Sequence, residues 1–363
     1  MQPHILKLAE EYEVTLITYG TVFEDLHLPG ELSSHVHFIC VNFSRQISFW
    51  NDFSGLFSLY RIFRTQRFDA VHSLMPKTGL LAMLAARLAG VPHRVHMFTG
   101  QVWANKTGIG RMILKWMDRI ISTCATNLLA DSFSQRSYLI AQKIVAQHKI
   151  SVLGNGSVCG VDADRFKFSQ EVRDRLRSDL NIAADAVVFI FLGRVNREKG
   201  VQDLVLAFVG MNREFPNSHL LIVGPDENDM DLELQKIAEP CRPHYSRIGY
   251  TDRPEDFMSC ADIFCLPSYR EGFGSVIIEA ASVGLPAVAS RIYGLVDAVV
   301  DFETGILHEA ENIRQIQDAL MLLAKDTELR QTMARQARQR AHAMFNQTRV
   351  ADAMRDFYRQ ILR

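Results

Sequence analysis

The chain has 363 residues, 48% of them apolar and 22% charged, with a formal net charge of −1. This excludes a disordered or low-complexity chain, gives no ground for a nucleic-acid partner, and suits two domains better than one. Its six cysteines (Cys40, Cys124, Cys159, Cys241, Cys260, Cys265) lack ligand spacing, which speaks against a disulfide framework or a zinc site and for reduced thiols in a cytoplasmic protein.

The N-terminus, M-Q-P-H-I-L-K-L-A-E-E, is amphipathic and acidic, unlike a signal peptide. No apolar run reaches the ~20 residues of a membrane span; the longest, Gly79 to Val91, is interrupted by Arg87. Short apolar strands then alternate with longer amphipathic helices, the signature of a doubly wound α/β fold. Strands are predicted over 14–18, 36–41, 70–74, 94–98, 127–131 and 150–153, with helices over 53–66, 78–89, 107–123 and 132–146. Such a domain normally opens on a buried strand and a glycine turn, whereas residue 1 already lies in a helix. The first domain is therefore expected to lack its first strand, through truncation or a late start; a reduced sheet is the alternative.

Two segments of this half combine aromatic and basic residues. Phe49, Trp50, Phe53, Phe57, Tyr60 and Phe63 run into Arg61, Arg64 and Arg67, while Arg111, Lys115 and Arg119 share one helix face with Met112 and Trp116 beside them. Each suits a membrane surface or a polyprenyl diphosphate, or is a core helix with a solvated basic face. Residues 1–160 hold 15 Lys+Arg against 10 Asp+Glu, and residues 161–363 hold 25 against 31. The basic first half favours an anionic acceptor or surface; chance imbalance on solvated faces is the alternative. His96, near the end of a predicted strand, is either a satisfied core residue or part of a site.

The domain boundary is placed at 158/159, with a second domain over 159–344 and a terminal helical segment over 345–363. In the second domain, strands are predicted over 187–192, 219–223, 263–266 and 286–290, and the tail from 326 is helical and charged. F-L-G-R-V-N-R-E-K-G (191–200) ends a strand in Gly193 and sets Arg194 and Lys199 beyond its carboxyl end, where open α/β sheets bind ligands. Two cations across a turn can clamp a diphosphate. L-I-V-G-P (221–225) and I-G-Y-T-D (248–252), with Gly249, are weaker signals, and V-V-D-F-E-T-G-I-L (299–307) reads as a structural turn at Gly305. The richest segment is S-Y-R-E-G-F-G-S-V-I-I-E (268–279), in which Glu271 and Glu279 bracket a glycine turn and the start of a buried helix. It offers two hydroxyl acceptors around amide groups suited to phosphate.

This ordered set resembles the retaining glycosyltransferases of family 4. G-R-x4-K-G and E-x7-E are specific together, and the resemblance covers most of the chain. It implies the GT-B fold: two Rossmann-like doubly wound domains facing a cleft, the N-terminal one on the acceptor side and the C-terminal one holding the nucleotide-sugar, with the terminal helix crossing back to the first domain. It also implies roles. Arg194 and Lys199 bind the diphosphate, Glu279 the ribose hydroxyls and Glu271 the donor sugar. Gly193, Gly249, Gly272, Phe273, Gly274, Ser275 and Val276 complete the donor site. His96 faces the donor sugar, and N-G-S-V-C-G-V-D (155–162) resembles the family's hinge. F-T-G-Q-V-W (98–103) is similar to the subset that builds lipid-linked oligosaccharide, capsule and O-antigen.

The expected activity is transfer of a hexose or N-acetylhexosamine from a nucleotide diphosphate donor, with UDP as the default. The acceptor is a glycan or a polyprenyl diphosphate-linked sugar, contacted by Arg111, Lys115, Trp116 and Arg119, which alternatively touch the membrane. No metal and no cofactor are expected, and the protein is placed in the cytoplasm or peripherally on the inner face of the plasma membrane. Three rivals stand beside this reading: a glycoside hydrolase with paired carboxylates, a nucleotide-sugar epimerase of the same fold, and an inactive truncated binding subunit, which the absent first strand favours.

Overall fold

The computed structural model describes residues 2–18, 33–41 and 49–363. The chain forms two compact units, Met1–Cys159 with Gln347–Arg363, and Gly160–Asn346.

The first unit opens on α1 (Gln2–Ala9) and a parallel strand pair, β1 (Val14–Thr18) and β2 (Val36–Cys40). Then come α2 (Phe49–Gln66), β3 (Ala70–Ser73), α3 (Pro76–Ala89), β4 (His93–Phe98), α4 (Gly108–Cys124), β5 (Asn127–Ala130), α5 (Phe133–Ala141) and β6 (Ile150–Val152). The four later strands make a parallel sheet in the order β3-β4-β5-β6, separate from the β1–β2 pair among the described residues. The inner strands β4 and β5 are largely buried, because α/β crossovers place helices over both faces of a parallel sheet. Helix α5 stops at Ala141, five residues before the predicted end, and Lys143 follows in the left-handed region (φ 54°).

The second unit contains α6 (Gln170–Asp179), β7 (Val187–Leu192), α7 (Val201–Glu214), β8 (Ser218–Val223), α8 (Asp231–Ala238), β9 (Tyr245–Ile248), α9 (Pro254–Cys260) and β10 (Ile263–Leu266). It continues with α10 (Ser275–Val283), β11 (Ala287–Ser290), the short α11 (Leu295–Ala298), β12 (Gly305–His308), α12 (Ile313–Lys325) and α13 (Thr327–Met344). Its six strands are parallel in the order β12-β11-β10-β7-β8-β9. The chain starts in the middle at β7, builds outward through β8 and β9, then returns to lay β10 on the other side of β7. Such a reversal opens a crevice at the carboxyl ends of the two strands that flank it, here β7 and β10.

Two strands escape the sequence pattern. Tyr-Ser-Arg-Ile of β9 is a half-exposed edge strand without an apolar run. β12 begins at Gly305, read above as a turn; a Cβ there would lie 2.2 Å from the carbonyl oxygen of Ala287, so a glycine lets the β11 backbone approach.

The last helix, α14 (Gln347–Ile361), belongs to the first unit. Val350, Met354 and Tyr358 recur every four residues on its buried face. Met354 and Tyr358 pack with Val95, Met97 and Leu129 of β4 and β5, and the Tyr358 hydroxyl lies 2.9 Å from Nδ1 of His72. Arg359 pairs with Glu11 just beyond α1.

Candidate active site

The crevice of the second unit is built from the loops after β7, β8 and β10. Strand pairing continues past β7 and β8: Gly193 N–H donates to Val223 (3.0 Å), Val195 to Pro225 (2.8 Å) and Glu227 to Val195 (3.0 Å). The loops can run this close only because Gly224 lacks a side chain. Its φ is +137°, and a Cβ there would lie 1.9 Å from the Gly193 carbonyl oxygen. Asn196 then caps a 3₁₀ turn, Arg197–Lys199, by accepting the Lys199 N–H at 3.1 Å. The turn ends at Gly200 (φ +65°), where a Cβ would meet the Pro267 carbonyl at 2.1 Å. Tyr269 N–H donates to the Glu198 carbonyl (2.9 Å), so the turn carrying Lys199 is fixed against the segment carrying Glu271.

Lys199 Nζ donates to Glu271 Oε1 at 2.5 Å, and the same oxygen accepts the Ser268 hydroxyl at 2.9 Å. Both charged side chains are well shielded, at 18% and 14% exposure. Arg194 behaves differently from the paired clamp that the spacing suggests. It is 59% exposed, and its Nη1 donates to both oxygens of Glu227 (3.2 and 3.1 Å). The two cations stand five positions apart in sequence, yet each is held by its own carboxylate.

Gly272, Phe273 and Gly274 are buried. The Phe273 ring packs edge-on to Phe345 (5.2 Å between centroids), so its side chain serves the core and only its backbone is available to a ligand. α10 starts at Ser275 after left-handed Gly274, leaving the Ser275 and Val276 amides at the helix N-terminus without intrahelical partners. Glu279 sits one turn further along α10. Its burial pushes its carboxyl up to about 7, opposed by Arg165 and reinforced by Glu255. Gly249, just after β9, accepts the Gly224 N–H through its carbonyl (3.1 Å), which sets it beside the β8 loop.

In the first unit, His96 lies near the carboxyl end of β4 and is 1% exposed. Its Nδ1 is 2.8 Å from the Ser73 hydroxyl on β3, and its ring meets Phe98 edge-on. Burial, and secondarily His72, push its pKa down to about 3, so the imidazole is neutral at physiological pH. With Thr99, Gly100, Trp103 and Asp118 it lines a small cavity.

The protein-family model "Glycosyl transferase 4-like domain" matches residues 6–156, and "Glycosyl transferases group 1" matches residues 172–340. The chain is 30% identical over 321 residues, 86% of its length and 81% of the relative's, to UDP-Gal:alpha-D-GlcNAc-diphosphoundecaprenol alpha-1,3-galactosyltransferase of Escherichia coli. The chain belongs to glycosyltransferase family 4. It is also 28% identical over 322 residues (88% of this chain, 84% of the relative) to the capsular polysaccharide biosynthesis glycosyltransferase CapM of Staphylococcus aureus. Among solved structures, Anabaena Alr3699/HepE in complex with UDP-glucose superposes with a TM-score of 0.79 at 18% identity, covering 99% of this chain and 95% of that one. The GT-B fold is thereby shared.

In this family 4 glycosyltransferase, the structure brings together most of the donor-site residues read from sequence, around the carboxyl ends of β7, β8 and β10. His96 and the basic helix residues lie in the first unit. On α4, Arg111 Nη2 and Lys115 Nζ both donate to Gln142 Oε1 (3.1 and 2.9 Å) and both stand over the Trp103 ring. Arg119 stacks over Trp116 and donates to the Lys143 carbonyl. None of the three cations has a carboxylate within ion-pair distance among the described residues. Beside them Ile109, Met112, Ile113 and Trp116 form an exposed apolar stripe, with Trp116 57% exposed. On α2, Phe63 turns into the core while Trp50, Phe53 and Phe57 are exposed; the Phe49 side chain falls outside the described residues. Among the described residues no helix is long and apolar enough to cross a membrane.

The sequence reading missed Asn196, Glu227, Ser268, Ser73 and Asp118. Asn196 carried a local signal, an N-cap three residues before Lys199. The partners of Glu227, Ser73 and Asp118 lie 15 to 33 residues away in sequence and leave no periodic trace.

Proposed function

We propose that this glycosyltransferase moves a hexose or N-acetylhexosamine, with retention and without a metal, from a UDP-sugar to a glycan or polyprenyl diphosphate-linked sugar in capsule or lipid-linked polysaccharide synthesis. The observation that carries the donor half is the shielded Lys199–Glu271 pair at the β7/β10 reversal, just before the N-terminal amides of α10, which have no intrahelical partner. The leaving nucleoside diphosphate gains charge in the transition state. Lys199, Arg194 and the Ser275 and Val276 amides are the groups that stabilise it, and two cations take the place of a metal. Glu271 accepts hydroxyls of the donor sugar and Glu279 those of the ribose. Within the first unit, neutral His96, its ring fixed by Ser73, is the candidate catalytic residue. The name of the Escherichia coli relative supports the acceptor class, that of the Staphylococcus aureus relative supports capsule synthesis, and the UDP-glucose complex of the Anabaena protein supports the nucleotide.

The deciding experiment screens UDP- and GDP-sugars by thermal shift, then offers the stabilising donor with polyprenyl diphosphate-linked sugars. The expected outcome is acceptor-dependent consumption of a UDP-sugar. Donor loss without any acceptor would instead identify an epimerase.

Glu279 makes donor binding depend on pH. Its folded pKa, about 7, lies above its ordinary value, so relative to high pH the folded state is the more stable below about pH 4.5, and that advantage is lost as pH rises through 7 and the buried carboxyl ionises. Binding runs the other way, because the ionised carboxylate is the better acceptor for two ribose hydroxyls. UDP affinity will therefore rise between pH 6 and 8 by more than in Glu279→Gln, whose profile retains only the titration of the phosphate. Parallel profiles in calorimetry would remove Glu279 from the ribose.

We further propose that the α4 stripe rests on an anionic membrane surface. In vesicle sedimentation, Trp116→Glu should weaken binding to phosphatidylglycerol-containing vesicles by about tenfold, through lost apolar insertion and added repulsion. Raised salt should weaken wild-type binding as well. Equal sedimentation of both proteins would argue against this face.

A further inference from the structure

We propose that Glu227 is a positioning residue for the donor diphosphate, acting through Arg194; this rests on the reading of Arg194 as a diphosphate ligand. The sequence gives no hint of it, since Glu227 follows β8 and Arg194 follows β7. The structure joins them through the extended pairing of the two loops: Glu227 N–H donates to Val195, and Val195 N–H to Pro225. Glu227 itself is held by Asn196, whose Nδ2 donates to Oε2 at 3.0 Å. Asn196 is buried, and its other side-chain atom caps the turn that carries Lys199. One connected set of hydrogen bonds thus runs from Arg194 through Glu227 and Asn196 to the Lys199 turn, and from Lys199 to Glu271 and Ser268.

The geometry distinguishes positioning from competition. Both contacts from Arg194 to Glu227 come from a single nitrogen, Nη1. The Nε–Nη2 edge of the guanidinium takes no bond among the described residues. That edge is the fork with which arginine grips two phosphate oxygens. Glu227 therefore orients the guanidinium without occupying the edge a diphosphate needs. Without Glu227, an exposed arginine with no other partner among the described residues regains its rotamer freedom, and the ligand must order it on binding. The Asn196 hydrogen bond first, then Arg194 and the field of Lys199, hold the Glu227 carboxyl below its ordinary range, so its charge is already answered and its repulsion of an incoming diphosphate is reduced.

The test is a double-mutant cycle on the full chain, read by calorimetric binding of UDP and by donor KM and kcat. Glu227→Ala should weaken UDP by about tenfold, raise donor KM more than it lowers kcat, and leave the unfolding midpoint near wild type. Glu227→Gln, which keeps an acceptor oxygen for Nη1, should recover part of the loss. In an Arg194→Ala background, Glu227→Ala should change UDP affinity less than about twofold. An equal loss in that background would show that Glu227 acts on the fold and overturn the proposal alone. Tighter UDP binding by Glu227→Ala would make it a competitor and overturn it as well. If Arg194→Ala by itself leaves UDP affinity unchanged, the diphosphate reading of Arg194 fails, and the proposal with it.

Discussion

Lys199→Ala will lower sugar transfer by about 10²- to 10³-fold, the scale of removing one preorganised group that meets developing charge. The loss should fall more on kcat than on donor KM, because the diphosphate is most negative as the glycosidic bond breaks. Its environment makes the effect large. Lys199 is shielded, fixed at the end of a capped turn, and tied to Glu271 at 2.5 Å. Glu271→Ala should be similarly damaging, since it removes a hydroxyl acceptor and leaves the lysine without its counter-charge. Because the two residues share a hydrogen bond, the double variant should lose less than the product of the single losses. Ser268 still donates to Glu271 when Lys199 is gone, so the fold should survive with a modestly lower melting temperature. Steady-state kinetics beside a thermal melt decides the matter: near wild-type transfer by both folded variants would sink the donor-site assignment.

The second large effect is structural. Gly224→Ala will destabilise the second unit by about 3 kcal/mol or more, combining overlap with a backbone conformation hostile to any side chain. The new methyl would stand 1.9 Å from the Gly193 carbonyl oxygen, and backbone cannot swing away as a flexible side chain can. For a unit of this size that corresponds to a fall of about 6–12 °C in melting temperature. The clash falls between the loops that carry Arg194 and Glu227, so UDP binding should be lost even below the melting transition. Gly110→Ala is the control: nothing lies within 4 Å of its added methyl, and in the first turns of α4 alanine is the better helix former. An equal fall in both variants would show that the close approach of the two loops is not the cause.

Much of the fold was legible because its signals are local. Runs such as Val187–Leu192 are apolar throughout since parallel strands are covered on both faces, and the predicted strands agree with the observed ones to within a residue or so. β9 and β12 were not legible, one being a polar edge strand and the other starting in a glycine that reads as a turn. The motifs proposed for the donor site were readable for the same reason as the strands: each sits immediately after a strand end. The partners of those motifs were not. Phe273 shows the limit within a motif, because only the packing against Phe345 reveals that its ring faces the core. The aromatic run of α2 divides likewise into buried Phe63 and exposed Trp50, Phe53 and Phe57, a division that depends on which neighbour covers each face.

By itself, then, the sequence determined the alternation of strands and helices, the order of G-R-x4-K-G and E-x7-E, and hence the family. These are properties of short segments, fixed by backbone geometry and periodicity. Tertiary structure alone decided how the charges are paired. It gave Lys199 to Glu271 and Arg194 to Glu227, set His96 against Ser73, and left the apolar stripe of α4 uncovered. Those outcomes depend on which loops the sheet order brings side by side, and on glycines such as Gly224 that let two backbones touch.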